Sequence, residues 1–394
     1  MAGSAHSRLF FVFSALFLLS VAVYLSFSLL WLAPVPRLWC MVLSLLLVLL
    51  SQCLTVMHLL TLRKPPPNLR LIRAGGFLSA SFMLLSWLVL LRDAALALLL
   101  ALNTLHFVPE TASANLLEFC LSLPFESGIA AASLVLAAAG ICRALRVPKV
   151  VHRTIRIPRL PTGLEGLRLV HLSDLHIGFT FDKTWLEAVT ARVNALAPDF
   201  VFITGDLADG PPERLVAELC PLSRLRAAWG VLLCPGNHDY GAGLRDWTAV
   251  WRSWGLIPLV NEHRVCCLHG ETLIVGGVAD PCAARFGLAL PDVDKAFQNA
   301  PKGFRILLAH RPGDAAKGAG QGCGLLLSGH THGGQFFFLY PLVSRLNHGF
   351  RSGLYRLSSM YLHVCPGTGM WGHVPMRLGV SAEISLLELR REDG

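Results

Sequence analysis

Residues 167–178 read Leu-Arg-Leu-Val-His-Leu-Ser-Asp-Leu-His-Ile-Gly: an apolar run from Leu167 to Leu172 that stops at Asp174 and His176. A short run rich in branched residues predicts a strand. Two polar groups two residues apart at its end would, in extended backbone, point to one face. The same construction recurs downstream. Phe200–Ile203 leads into Gly205-Asp206, Val231–Cys234 into Gly236-Asn237-His238-Asp239, Phe304–Ala309 into His310, and Gly324–Leu327 into Gly329-His330-Thr331-His332. Thr272–Val278 is a further candidate strand. Helix-like stretches Lys183–Leu196, Pro212–Arg226 and Leu244–Trp254 alternate with these runs, which implies a layered α/β domain. From Phe337 to Leu389 short strands separated by Gly and Pro suggest an antiparallel closing section.

The polar residues at the strand ends are oxygen and nitrogen donors in sufficient number for two metal ions. In a two-metal site about 3.5 to 4 Å across, one carboxylate bridges both ions while His, Asp and Asn complete each sphere. Asp206 is the natural bridge, and Gly205 and Gly236 permit the turns that lift the next side chain over the sheet edge. A water shared by two ions is acidified, giving hydroxide near neutral pH for in-line attack on phosphorus. His238, beside Asn237, is placed to protonate the leaving oxygen, and Asp239 to orient that imidazole from its other nitrogen. No thiolate enters the set, which suits Mn, Fe or Zn. The remaining His171, His263, His269, His348, His363 and His373 lack a neighbour at ligand spacing and are expected in core or surface roles. Gly318-x-Gly-x-Gly-x-Gly324 leads into a strand rather than a helix, so it reads as a turn and not a dinucleotide loop.

The strings SDLHIG, GDLAD, GNHD, AHRP and GHTHGGQ, in this order, resemble the calcineurin-like metallophosphoesterases over about Arg168–Leu389. The resemblance implies a four-layer α/β sandwich, two mixed sheets packed face to face with helices outside. It implies one metal held by Asp174, His176, Asp206 and His332, and a second held by Asp206, Asn237, His310 and His330. His238 corresponds to the outer-sphere acid, and Asp209, which completes GDLAD, is expected either to support the ligands by a hydrogen bond or to bond its own turn. Arg311 departs from the neutral or acidic residue common after the family's AH string. The turn Pro366-Gly367-Thr368-Gly369, running on to Arg377, resembles the family's last turn before the closing strands.

The first third of the chain is different in kind. Hydrophobic residues make up 54% of the sequence and charged residues 15%, and the apolar excess is concentrated here. Apolar stretches near 9–33, 39–62, 75–102 and 127–143 approach or exceed the roughly 20 residues that cross a bilayer, predicting an α-helical transmembrane bundle over 1–145. Arg92-Asp93 interrupts the third, which is expected to remain one long or tilted helix. Arg8 before the first stretch suits a signal peptide, but the stretch is long, lacks a clear cleavage site and is followed at once by another span.

Arg63, Lys64, Arg70 and Arg73 follow the second span, Arg143 to Arg159 form a basic cluster after the last, and the third loop carries Glu110, Glu118 and Glu126. The positive-inside rule then puts both ends, and the catalytic domain, in the cytoplasm. Residues 146–166 are expected to be a basic juxtamembrane linker and 167–390 the α/β domain. The net charge of +9 owes much to these flanks, and no basic, aromatic-interleaved stripe suggests nucleic acid. Eleven Cys without a CxxC pair indicate neither zinc ribbon nor disulfide framework.

The expected activity is hydrolysis of phosphate mono- or diesters at a membrane, with a lipid-linked substrate suggested by the anchor. The competing expectation is a metal-binding scaffold or regulator without catalysis. The presence of both Asp206 and His238 weighs against it.

Overall fold

The computed structural model describes residues 2–32, 35–61, 69–178, 180–372 and 374–392. Arg63, Lys64 and His373 lie outside the described residues. The chain divides into two compact units, residues 1–142 with 372–376, and residues 143–371 with 377–394.

In the first unit, helices Val12–Trp31, Arg37–Met57, Leu69–Thr104 and Leu123–Ala144 are long and apolar enough to cross a membrane. A shorter helix, Glu110–Cys120, stands between the last two. Leu69–Thr104 runs through Arg92-Asp93 without a break, because the pair finds partners instead of interrupting the helix. Arg92 is buried, bonds Glu126 and the Ser28 hydroxyl, and donates from Nε to Asp93 at 2.8 Å. Asp93 accepts from Tyr24 at 2.5 Å and from Ser28 at 2.6 Å. Glu126, expected in a loop, is therefore a buried residue of the fourth apolar helix, since an unpaired Arg92 inside apolar surroundings would be far costlier.

The second unit opens with strands β1 Lys149–Ile157, β2 Arg168–Leu172, β3 Phe200–Thr204, β4 Val231–Cys234, β5 Ile257–Pro258 and β6 Glu262–Leu268. It continues with β7 Glu271–Gly277, β8 Phe304–Leu308, β9 Leu325–Ser328, β10 Gly353–Leu357, β11 Met360–Val364 and β12 Glu383–Arg391. They form two six-stranded sheets, ordered β1-β12-β2-β3-β4-β5 and β10-β11-β9-β8-β7-β6. Both are mixed. β2 to β5 run parallel with β12 antiparallel to β2, and β7, β8, β9 and β11 run parallel with β6 and β10 antiparallel at the edges.

Period-two alternation divides each central strand between two cores. Leu169, Phe200, Phe202 and Leu232 face Leu273, Val275, Ile306, Leu308, Leu325 and Leu327 across the sheets. Val170, Val201, Ile203 and Leu233 face the other way, onto Leu186, Val189, Leu215, Trp247 and Trp251 of the helices Lys183–Asn194, Pro212–Leu219 and Leu244–Ser253. On the far side Ile274, Leu307, Leu326 and Leu362 pack on Val293, Phe297 and Ala315. The result is four layers: helix, sheet, sheet, helix.

β1 occupies the stretch expected to be a linker. It pairs in parallel with β12 from Lys149–Glu383 to Ile157–Arg391. Ile155 and Ile157 are buried while His152, Thr154 and Arg156 are exposed, and Arg153, on the inward-facing parity, pairs with Glu383 of β12 at 2.6 Å. The Gly-rich run forms the short helix Ala315–Gly320 and a turn into β9, as expected of a connection.

Candidate metal centre

Every expected ligand lies just past the carboxyl end of a parallel strand: Asp174 and His176 after β2, Asp206 after β3, Asn237 after β4, His310 after β8, and His330 and His332 after β9. The two sheets bring these ends to a common rim. His176 Nε2 is 3.2 Å from His332 Nε2, which is 3.3 Å from Asp174 Oδ1. His310 Nε2 is 3.1 Å from Asn237 Oδ1 and 3.2 Å from His330 Nδ1. Asp206 Oδ2 lies between the two groups, 3.6 Å from His176 and 3.3 Å from His310.

The backbone achieves this differently from simple extension. Asp174, His176, Asp206, His330 and His332 all have φ between 47° and 68°, in the left-handed region. Each such non-glycine residue costs about 1–3 kcal/mol and persists only where the surroundings dictate it. His330 and His332, expected on one face, accordingly point into different groups. Gly205, at φ +83°, makes the turn anticipated for it. Gly236 has an ordinary φ of −105°, and glycine is needed there because a Cβ would fall 2.2 Å from Asp206 Oδ1.

Hydrogen bonds to the far nitrogens decide which imidazole nitrogen faces the centre. His310 Nδ1–H donates to the Thr204 carbonyl at 2.7 Å, and His176 Nδ1–H to Asp209 Oδ1 at 2.9 Å, leaving Nε2 lone pairs inward. Asp209 also takes His238 Nδ1–H, at 2.8 Å. Asp239, expected to orient His238, does other work. Its carboxylate accepts the backbone N–H groups of Gly236, Asp206, Leu207 and Ala208, at 2.8 to 3.3 Å, and so welds the β3 loop to the β4 loop. A carboxylate one residue after a histidine in a helical turn points away from it, whereas Asp209 approaches from the neighbouring loop.

Burial and the crowd of carboxylates set the electrostatics. Burial would depress His310, but Asp206, Asp174 and Asp280 lift it to about 10, and Asp209 and Asp206 likewise lift His176 to about 9. Against burial, His310 and His176 hold Asp206 well below the usual carboxylate range. Burial and the Asp206 charge push Asp239 up to about 6. The centre thus draws positive charge into a buried place. Its imidazole nitrogens and carboxylate oxygens lie, group by group, within 4.8 Å of one another, and this donor set fits divalent cations. Three overlapping groups have the required proximity: Asp174, His176 and His332; Asp174, Asp206 and His310; and His176, Asp206 and His238.

Two arginines noted in the sequence, Arg377 and Arg311, have contacts that it did not reveal. Arg377 is buried, and its guanidinium donates to the carbonyls of His332 at 3.2 Å, Pro366 at 2.9 Å and Gly369 at 2.5 Å, clamping the closing turn to an expected ligand. Burial lowers it to about 10. Arg311 is committed to Asp280, Nε to Oδ2 at 2.7 Å and Nη2 to Oδ1 at 3.3 Å.

The profile of the calcineurin-like phosphoesterases matches residues 167–334. A zebrafish (Danio rerio) transmembrane protein with metallophosphoesterase domain is 40% identical over 270 residues, 65% of this chain and 61% of the relative. Its cattle (Bos taurus) counterpart is 36% identical, over 65% of this chain and 60% of the relative. The match therefore spans about three fifths of these relatives' lengths. An uncharacterised metallophosphoesterase of Campylobacter jejuni is 34% identical over 274 residues, 68% of this chain and 71% of the relative. With its motif order, its four layers and this similarity, the chain belongs to the calcineurin-like metallophosphoesterases.

Proposed function

We propose that this protein is a membrane-anchored phosphoesterase that uses two divalent cations, Mn, Fe or Zn, to hydrolyse phosphate mono- or diesters, with its catalytic domain in the cytoplasm. The observation that carries the reading is Asp206, whose carboxylate lies between two converging ligand groups. Asp174, His176, Asp206 and His332 would hold one cation, and Asp206, Asn237, His310 and His330 the other. When bound, the cations polarise the phosphoryl group and make water a stronger acid.

The chain's own residues supply the rest. Asp209 fixes His238 with its proton on Nδ1, leaving Nε2 to hold and hand over the proton a leaving oxygen requires. Burial would lower His238, yet Asp209 and Asp206 raise it above its ordinary value, which favours the protonated form that an acid requires. Asp209 and the Thr204 carbonyl keep His176 and His310 in the tautomers that present lone pairs. Arg377 and the Asp239 bonds hold the loops in place while the substrate is bound.

The apolar helices suggest a lipid-linked or amphipathic ester as substrate. The test is to purify the full chain in detergent, measure metals per chain, and compare monoester and diester reporters with Asp206→Asn alongside. Two metals per native chain, and hydrolysis that Asp206→Asn abolishes, are expected. Bound metal with no hydrolysis of either reporter, and no effect of the substitution, would overturn the enzyme reading. Reporter fusions after Arg159 should mark a cytoplasmic position, and glycosylation of a site engineered there would reverse the topology.

A further inference from the structure

The segment Phe337–Leu346, FFLYPLVSRL, follows the ligand turn directly, and only Ser344 and Arg345 in it are polar. It folds as a 3₁₀ turn, Phe337–Leu339, and a short helix, Tyr340–Leu346, in which no residue is buried. Other helices of this unit behave as surface helices of a globular domain should: Lys183–Asn194 buries five residues and Leu244–Ser253 three. Here Phe337 is 57% exposed, Leu342 53%, Leu346 70% and nearby Trp371 54%. An apolar surface of this kind marks a binding face.

That face is tied to the metal centre. The Gln335 side chain accepts from the Trp371 N–H at 3.1 Å and donates to its carbonyl at 3.2 Å. Arg351 lies over the Tyr340 ring at 3.8 Å and donates to the Gly333 carbonyl at 3.0 Å, one residue from His332. Phe337 N–H donates to Leu378 at 2.9 Å. The exposed side chains are therefore carried on backbone that is hydrogen-bonded to the His332 loop.

We propose that Phe337–Leu346, with Trp371, is a membrane-docking element that seats the metal rim on a lipid leaflet, so that the ester reaching the metals is the phosphate of a membrane lipid. The substrate half of this inference rests on the phosphoesterase reading; the docking half does not. Ten residues are too short to span a bilayer but suit an element lying in its interface. Tyr340 and Trp371 are residues of the polar-apolar boundary, and Arg345 sits on the exposed side, where anionic headgroups would meet it. The chain's four apolar helices keep a leaflet at high effective concentration, so weak individual contacts suffice.

The test uses the full chain in nanodiscs of phosphatidylcholine and phosphatidylglycerol, with the photoreactive substitution Leu346→p-benzoylphenylalanine. Illumination should give an adduct heavier by one phospholipid. An adduct to a second protein chain alone, or none, would overturn the docking element. With Leu342→Glu and Leu346→Glu combined, KM for a phosphate ester carried on a lipid should rise tenfold or more relative to KM for a soluble reporter. An equal change for both substrates would overturn the assignment of substrate class. Photoadducts form without turnover, so an inactive protein that still captures lipid would sink the phosphoesterase reading and leave the docking element standing.

Discussion

Asp209 Oδ1 lies 2.8 Å from His238 Nδ1, and the same oxygen lies 2.9 Å from His176 Nδ1. One carboxylate thus orients both the proposed acid and a proposed ligand. His238→Gln should lower kcat by about 10²–10⁴-fold while leaving metal content intact. Asp209→Asn should cost about 10–100-fold and also weaken metal retention, since His176 loses its orienting partner. Steady-state kinetics with metal analysis separates the two. Full metal retention with undiminished kcat in Asp209→Asn would remove it from the mechanism.

The shared position of Asp206 has a different signature. His332→Ala strips a ligand from one group only, so the protein should keep about one metal of two. Asp206→Asn weakens both groups and should lose both. Mass spectrometry of the intact metal-loaded chain reads this directly, and equal stoichiometry in the two variants would show that Asp206 is not shared.

Asp239 should matter to stability before chemistry. Its four backbone donors belong to loops from two strands, and removing a buried acceptor leaves them unpaired. Asp239→Ala is expected to destabilise the domain by about 3 kcal/mol, seen as a lowered melting temperature. A variant with native melting but no activity would instead return Asp239 to the catalytic set.

His171 and His363 are both buried, with Nδ1 atoms 2.9 Å apart, and His171 Nε2 is 2.8 Å from Thr204 Oγ1. Burial, reinforced by Arg153, lowers His171 to about 3, and burial lowers His363 well below its ordinary value. Above pH 6.5 both are neutral whether folded or not and contribute no pH dependence. Between about 6.5 and 3 the unfolded chain binds a proton at His171 that the native one refuses, so stability falls as pH falls, by about 1.4 kcal/mol per unit, and His363 adds a loss in the same direction. Melting curves of the full chain over this range should flatten in a His171→Gln, His363→Gln double variant. An unchanged slope would assign the acid lability to other groups.

Much of this was legible in the residues themselves. The strands ending at Leu172, Thr204, Cys234, Leu308 and Ser328 announce themselves by local apolar runs, and the donors follow within a few positions, so strand ends and ligands are written together. β1 was not legible, because a short basic strand that follows the last apolar helix in sequence looks like a membrane flank until β12, which supplies Glu383 to Arg153, is set beside it. Glu126 was likewise a loop carboxylate until Arg92, 34 residues away, gave it a partner.

The sequence by itself determined the candidate donors, an α/β class and the apolar helices, since each depends on periodicity and spacing over a few residues, while the four-layer arrangement and the sorting of donors into two groups came as implications of the motif order's resemblance to the family. Only the tertiary structure decided that Asp209 and not Asp239 serves His238, that His171 finds His363 across 192 residues, and that Arg377 clamps His332. Those choices depend on which loops meet at the rim. Hydrogen bonds reach about 3 Å in space whatever the separation along the chain, and no local pattern records that distance.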